Sequence, residues 1–241
     1  MLLKTEAVVI RTIKYKDTSV IADLLTRERG MLTVIAGGVR KSRSRMPASI
    51  FQPPSLIEAV MYYKDNSNMH RLKEARQSFP LIQIFEQLKR IAIAQFVAEL
   101  VKKTVSNREP HRELFEFVRS TVVELETAET VNPNMPLMFM LELAVHLGIS
   151  PEFKKTGGKY LDLREGVVYP TPPQHPHFLS EELTLALKKL LMTRDQKTEM
   201  PRINNETRRQ LFTHLTQYYL IHVDGMKPMK SPEIFRTIFE K

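Results

Sequence analysis

Apolar and polar residues alternate over the first third of the chain. Thr5-Glu-Ala-Val-Val-Ile-Arg-Thr-Ile-Lys14 reads as a strand and Val20–Thr26 as a second, with a turn over Tyr15–Ser19. Arg27–Gly30 supplies the next turn, since Gly30 takes positive φ without steric cost. Met31–Val39 is the third strand. Ser55–Tyr63 is the fourth, entered through Pro53-Pro54. After a turn at Asp65–Asn68, His70–Phe79 is either a fifth strand or a charged edge segment. Five short strands with turn signals at this spacing predict a small closed barrel of the OB-fold type.

From Pro80 the period changes from two to three and four. Leu81, Ile84, Phe85, Leu88, Ile91, Phe96 and Leu100 predict one long helix to about Ser106. A second starts at Pro110, with Leu114, Phe117, Val118, Thr121, Val122 and Leu125 on one face. Met135–Leu147 is apolar nearly all round and reads as the buried centre of a helical domain, stopped by Gly148 and Pro151. Over 152–179 the helical pattern breaks: Tyr160–Arg164 and Gly166–Tyr169 predict a hairpin, and Pro170, Pro172, Pro173 and Pro176 an extended connector. Ser180 caps a further helix, Asn204 or Asn205 the next, and Ser231 a last short one through Phe239. The fold class is α+β: an N-terminal five-stranded barrel over 1–80, then a mostly helical domain over 81–241 with a small cysteine-free hairpin insertion at 152–179.

Charge changes the picture. Residues 1–80 carry 14 Lys and Arg against 7 Asp and Glu, which is 7 of the chain's net +9. Within them Arg40, Lys41, Arg43 and Arg45 are separated only by serines, directly after Gly37-Gly38. Mutual repulsion and the lack of an apolar residue among them predict a solvated loop at the surface. Such a loop can neutralise several phosphates and release their counterions, or can simply be a solvated basic face. Tyr15, Phe51, Tyr62 and Tyr63 are the aromatics available for base stacking or for the barrel core. The DNA-binding set is therefore Arg40, Lys41, Arg43, Arg45, Tyr15 and Phe51.

Chemistry is less well represented. The chain has no cysteine, which excludes disulfides, thiolate metal sites and cysteine nucleophiles. There is no phosphate-binding Gly-Lys-Ser/Thr loop and no Gly-x-Ser-x-Gly elbow. His175 and His177 are two imidazoles without a third ligand nearby in sequence, and His146 and His222 read as core histidines on apolar helices. No catalytic site and no cofactor are expected. No signal peptide, lipidation signal or membrane-spanning run is apparent, so the expected location is the cytoplasm, with no membrane partner.

Two segments carry a resemblance. One is Thr5–Thr12 with Leu24–Thr33 and the Gly37–Arg45 loop; the other is Leu147-Gly-Ile-Ser-Pro151 with Tyr218–Ser231, including His222-x-x-Gly-x-Lys-Pro-x-Lys-Ser231. Together they resemble the bacterial recombination mediator family RecO. That resemblance implies an OB-fold followed by a helical domain, and binding of single- and double-stranded DNA with annealing of complementary strands. It implies partners too: RecR, with which RecA is loaded on gaps in the RecF pathway, and the acidic C-terminal tail of single-stranded-DNA-binding protein. Lys227 and Lys230, on the connector before the last helix, are the residues expected to meet that tail. Many family members carry a four-cysteine zinc ribbon where Glu152–Leu179 stands. Here no zinc is expected, and the hairpin must hold by backbone pairing and packing. A protein-interaction adaptor and an RNA-binding OB module are the alternative readings.

Overall fold

A computed structural model describes residues 1–41, 44–105, 110–153, 158–196 and 201–239. The chain forms two compact units. One takes residues 1–131 together with the chain from Ile234 onward, and the other takes residues 132–233.

The first unit begins with the predicted barrel. Its strands are β1 (Leu2–Tyr15), β2 (Ser19–Thr26), β3 (Gly30–Ala36), β4 (Leu56–Tyr62) and β5 (His70–Phe79), closed in the order β1-β2-β3-β5-β4. His70–Phe79 is thus a strand. β1 is long enough to serve two neighbours: Leu2–Val8 pair with β4 and Ala7–Tyr15 with β2, with an irregularity between Val9 and Arg11 that bends it. The closing pair is the short parallel contact of Val34 and Ile35 with His70 and Arg71. Alternate residues fill the interior, among them Ala7, Val9, Leu24, Val34, Ile57 and Met61. Gly30 stands at φ +60° in the β2–β3 turn, as its position demands.

Three helices pack in the same unit: α1 (Gln83–Glu86), α2 (Leu88–Thr104) and α3 (Arg112–Thr127). α2 and α3 lie against β1, so its outward-facing Val8 is as buried as the barrel interior. The single long helix predicted from Leu81 does not form. Gln87 is extended (φ −110°, ψ 121°) and splits it into one turn and α2. The cause comes from α3. The Glu126 carboxylate accepts the backbone N–H groups of Ile82 (2.8 Å), Gln83 (2.9 Å) and Ile84 (2.9 Å), capping that one turn. Buried Arg90 donates to the carbonyls of Leu125 and Ala128 at the C-terminal end of α3, where the helix dipole favours a cation.

The second unit holds α4 (Met135–His146), α5 (Glu181–Gln196) and α6 (Asn205–His222) around a small sheet. Gly148 (φ +71°) follows α4 as predicted, Ser180 caps α5, and Asn204 caps α6 by accepting from Thr207 N–H at 2.7 Å. The hairpin is present as β6 (Tyr160–Asp162) and β7 (Val168–Tyr169). A third strand, β8 (Phe178–Leu179), emerges from the proline-rich connector and pairs with β6 on its other edge. Backbone pairing is not its only fastening. Asp162 accepts from the N–H of Arg164 (2.7 Å) and Glu165 (3.2 Å), and its other oxygen meets His175 Nε2 at 3.0 Å. Thr184 of α5 accepts from Leu161 N–H and donates to the Leu179 carbonyl. The last helix, α7 (Ser231–Phe239), includes Ser231 as its first residue, and the Phe235 ring packs tilted against Phe96 of α2, 5.3 Å between centroids, within the first unit.

Candidate nucleic-acid interface

The basic loop leaves the barrel at the end of β3, earlier than predicted, because the strand stops at Ala36. Gly37 and Gly38 follow, the latter at φ +73°, where any side chain would be strained. Two apolar residues flank the cations and fix the loop. Val39 is buried in the barrel core, and Met46 packs against the same core. Hydrogen bonds hold the described residues on either side. Lys41 N–H donates to Gly38 O (3.3 Å) and Ser44 N–H to Lys41 O (3.1 Å), while the Ser44 hydroxyl exchanges hydrogen bonds with the backbone of Met46. The consequence is that Arg40, Lys41 and Arg45 all stand exposed on an anchored loop. Arg43 lies outside the described residues.

Two neighbouring regions meet this loop. At its start Arg40 N–H donates to Thr18 O (3.3 Å), tying it to the β1–β2 turn. That turn presents Tyr15, 37% exposed, with Lys16 Nζ 5.4 Å from the ring centroid. At its end Ser44, Arg45 and Met46 line an open groove of about 980 Å³ whose other wall is formed by β1, β4 and β5, with Lys4, Lys73 and Arg76 among the lining residues. Arg76 pairs with Glu58 (2.8 Å) and Lys73 with Glu74 (3.5 Å), so the groove is basic but not uniformly so.

Phe51 requires a correction. Its side chain is 1% exposed and belongs to the barrel core, so its ring has no free face for a base. Its backbone carbonyl accepts the Thr12 hydroxyl at 2.6 Å, which pins the short 3-10 turn Ala48–Phe51 to β1. Tyr63 is also a core residue, stacked on His70, whereas Tyr62 is 50% exposed. The groove cations Lys4, Lys73 and Arg76 were not singled out from sequence. They are isolated charges on separate strands, and only the outward positions of the alternation would have gathered them.

Part of the barrel's other face is covered. Asp23 of β2, 1% exposed, accepts from Thr33 Oγ1 (2.7 Å) and Arg11 Nε (2.7 Å) and pairs with Lys102 of α2 (3.1 Å). Burial raises its pKa, but the three donors and the lysine charge outweigh burial and hold it below the ordinary 3.8. Lys227 and Lys230 belong to the second unit, both exposed. α6 ends at His222, and Gly225 (φ +68°) makes the turn that leads into their connector. Among the described residues no group of three or more His, Cys, Asp or Glu is placed to hold a metal, and no helix is long and apolar enough to cross a membrane.

The closed barrel of order β1-β2-β3-β5-β4, followed by helices, defines an OB-fold protein with a helical C-terminal region. More particularly, the chain belongs to the recombination protein O family: the model "Recombination protein O N terminal" matches residues 1–79 and "Recombination protein O C terminal" residues 86–232. It is similar along its whole length to proteins named DNA repair protein RecO. The one from Azobacteroides pseudotrichonymphae is 26% identical, with 100% of both chains covered. The one from Bacteroides fragilis is 26% identical with the same coverage. The one from Flavobacterium johnsoniae is 27% identical, covering 99% of this chain and 100% of the relative.

Proposed function

We propose that this protein is a DNA repair and recombination mediator. It binds single- and double-stranded DNA through the barrel and anneals complementary strands. With RecR it helps load RecA onto gaps coated by single-stranded-DNA-binding protein, and it works at the nucleoid. The observation that carries the reading is the anchored loop: Val39 and Met46 fasten it to the barrel core, Arg40, Lys41 and Arg45 are exposed, and Arg40 N–H ties its start to the β1–β2 turn. Annealing needs two polyanions to approach one another. Cations that contact phosphates rather than base edges lower that repulsion for any sequence, and the released counterions supply the affinity. The protein then acts by binding and placement, without bond chemistry of its own. Lys227 and Lys230 are the proposed contacts for the acidic tail of single-stranded-DNA-binding protein.

The test is a salt series of DNA affinities by fluorescence anisotropy, for wild type and for Arg40, Lys41, Arg43 and Arg45 all replaced by alanine. Binding should weaken for every sequence, and the log–log salt slope on single strands should shrink by about 0.7 per lost phosphate contact. Thermal stability should hardly move, since Arg40, Lys41 and Arg45 are exposed. Unchanged affinity and slope would remove the loop from the DNA site and favour a protein-interaction adaptor.

A further inference from the structure

OB barrels commonly take their ligands on the face of strands two and three. In this protein part of that face is covered by the chain itself, since Lys102 of α2 pairs with Asp23, which also accepts from Thr33. The opposite side is open. On β4, Met61, Ala59 and Ile57 point into the core, so Tyr62, Val60 and Glu58 point outward. Cross-strand register places Leu2 of β1 and Arg71 of β5 on either side of Tyr62, all three exposed. Two residues further along, Lys4 and Glu74 flank Val60, and the bulge between Val60 and Met61 adds Lys73 as an extra outward cation. Lys4, Val60 and Lys73 also line the groove that Arg45 borders. An exposed aromatic ring between an aliphatic residue and a guanidinium, with cations continuing along the strands, has the chemistry of a stacking platform with a phosphate path.

We propose that the outer face of β1, β4 and β5 is a second nucleic-acid track, which holds one single strand by stacking a base on Tyr62. This rests on the DNA-binding reading above and deepens it. The basic loop would then stand between two strands. Its Arg40 end is fastened to the β1–β2 turn, and its Arg45 end faces the groove. A duplex keeps its bases stacked on one another, so the Tyr62 face selects the unpaired strand, and pairing with the strand at the loop releases it.

The sequence contains no tryptophan, so Tyr62→Trp places a single fluorophore on this face. Titration with oligothymidylate should quench it, and a duplex of equal length should not. Tyr62→Ala should weaken single-strand binding about tenfold, the loss expected for one stacked base. It should leave duplex affinity within about twofold, slow annealing, and be rescued by Tyr62→Phe. Circular dichroism checks each fold, and the Trp and Phe variants carry the test if the alanine variant does not fold. An unquenched tryptophan while anisotropy reports bound oligonucleotide would overturn the second track and leave the loop reading intact. A wild-type protein that binds neither DNA form would overturn both.

Discussion

Glu126 shows how one side chain sets the local path of the chain. It is 9% exposed and is surrounded by three backbone N–H donors, with the Arg90 guanidinium nearby. Burial alone would raise its pKa. The hydrogen bonds from Ile84, Gln83 and Ile82, helped by the Arg90 charge, outweigh burial and lower the pKa from the ordinary 4.5. A carboxylate depressed in this way stabilises the fold above its ordinary value, and that contribution is lost as pH falls through the folded one. Glu126→Gln keeps one acceptor but turns an amide towards the remaining donors, and should cost about 2 kcal/mol at pH 7. Urea melts should show the gap between wild type and variant narrowing below pH 4.5, in the window down to the depressed value. Asp23 also titrates in acid, but it is present in both proteins and drops out of the difference. A gap that stayed constant with pH would mean that the ionised carboxylate is not what holds the α1 turn.

At the scale of elements, what could be read from sequence divides by the range of the interactions. Alternation located four barrel strands, because each buries one face against the same interior and a slip of one residue would expose it, and it left the charged His70–Phe79 open between a fifth strand and an edge segment. The caps at Ser180 and Asn204 were legible for the same local reason. The break at Gln87 was not, because the group that causes it, Glu126, arrives from another helix. β8 was hidden by the prolines that precede it and its length of two residues. In the candidate site, the loop cations were visible as a run of charge, while Phe51 looked like an exposed aromatic until its burial assigned it to the core. The small sheet gives an element-scale prediction. Asp162 holds the β6–β7 turn and His175 together, so Asp162→Ala should lower stability by about 2 kcal/mol. Elemental analysis of protein purified without added metal should find no stoichiometric zinc, and a chelator should leave Tm unchanged. Zinc at one per chain, or a Tm lowered by chelator, would show that His175 and His177 serve a metal.

For the whole molecule, the packing boundary and the family boundary fall in different places. The two family models divide the chain between residues 79 and 86, whereas the first compact unit runs on to residue 131 and includes α1–α3. The proposed DNA-binding loop belongs to the first unit, and the Lys227/Lys230 connector to the second. The two proposed activities should therefore separate by mutation. An acidic tail with an apolar end needs cations for approach and an apolar surface for grip: Lys227 and Lys230 are exposed on the connector, and Leu220 and Ile221 at the end of the preceding α6 are 37% and 39% exposed. Lys227→Glu with Lys230→Glu reverses the charge without touching the barrel. This variant should bind the tail peptide of single-stranded-DNA-binding protein at least tenfold more weakly, roughly the loss expected when an attractive charge pair becomes repulsive, and should bind naked DNA as wild type does. The alanine variant of the loop should show the reverse, with peptide affinity intact and DNA affinity lost. On DNA already coated by single-stranded-DNA-binding protein, both variants should anneal slowly if, as proposed, the tail and the strand are held together. If the lysine variant loses naked-DNA binding instead, the connector is part of the DNA surface and the tail must dock elsewhere.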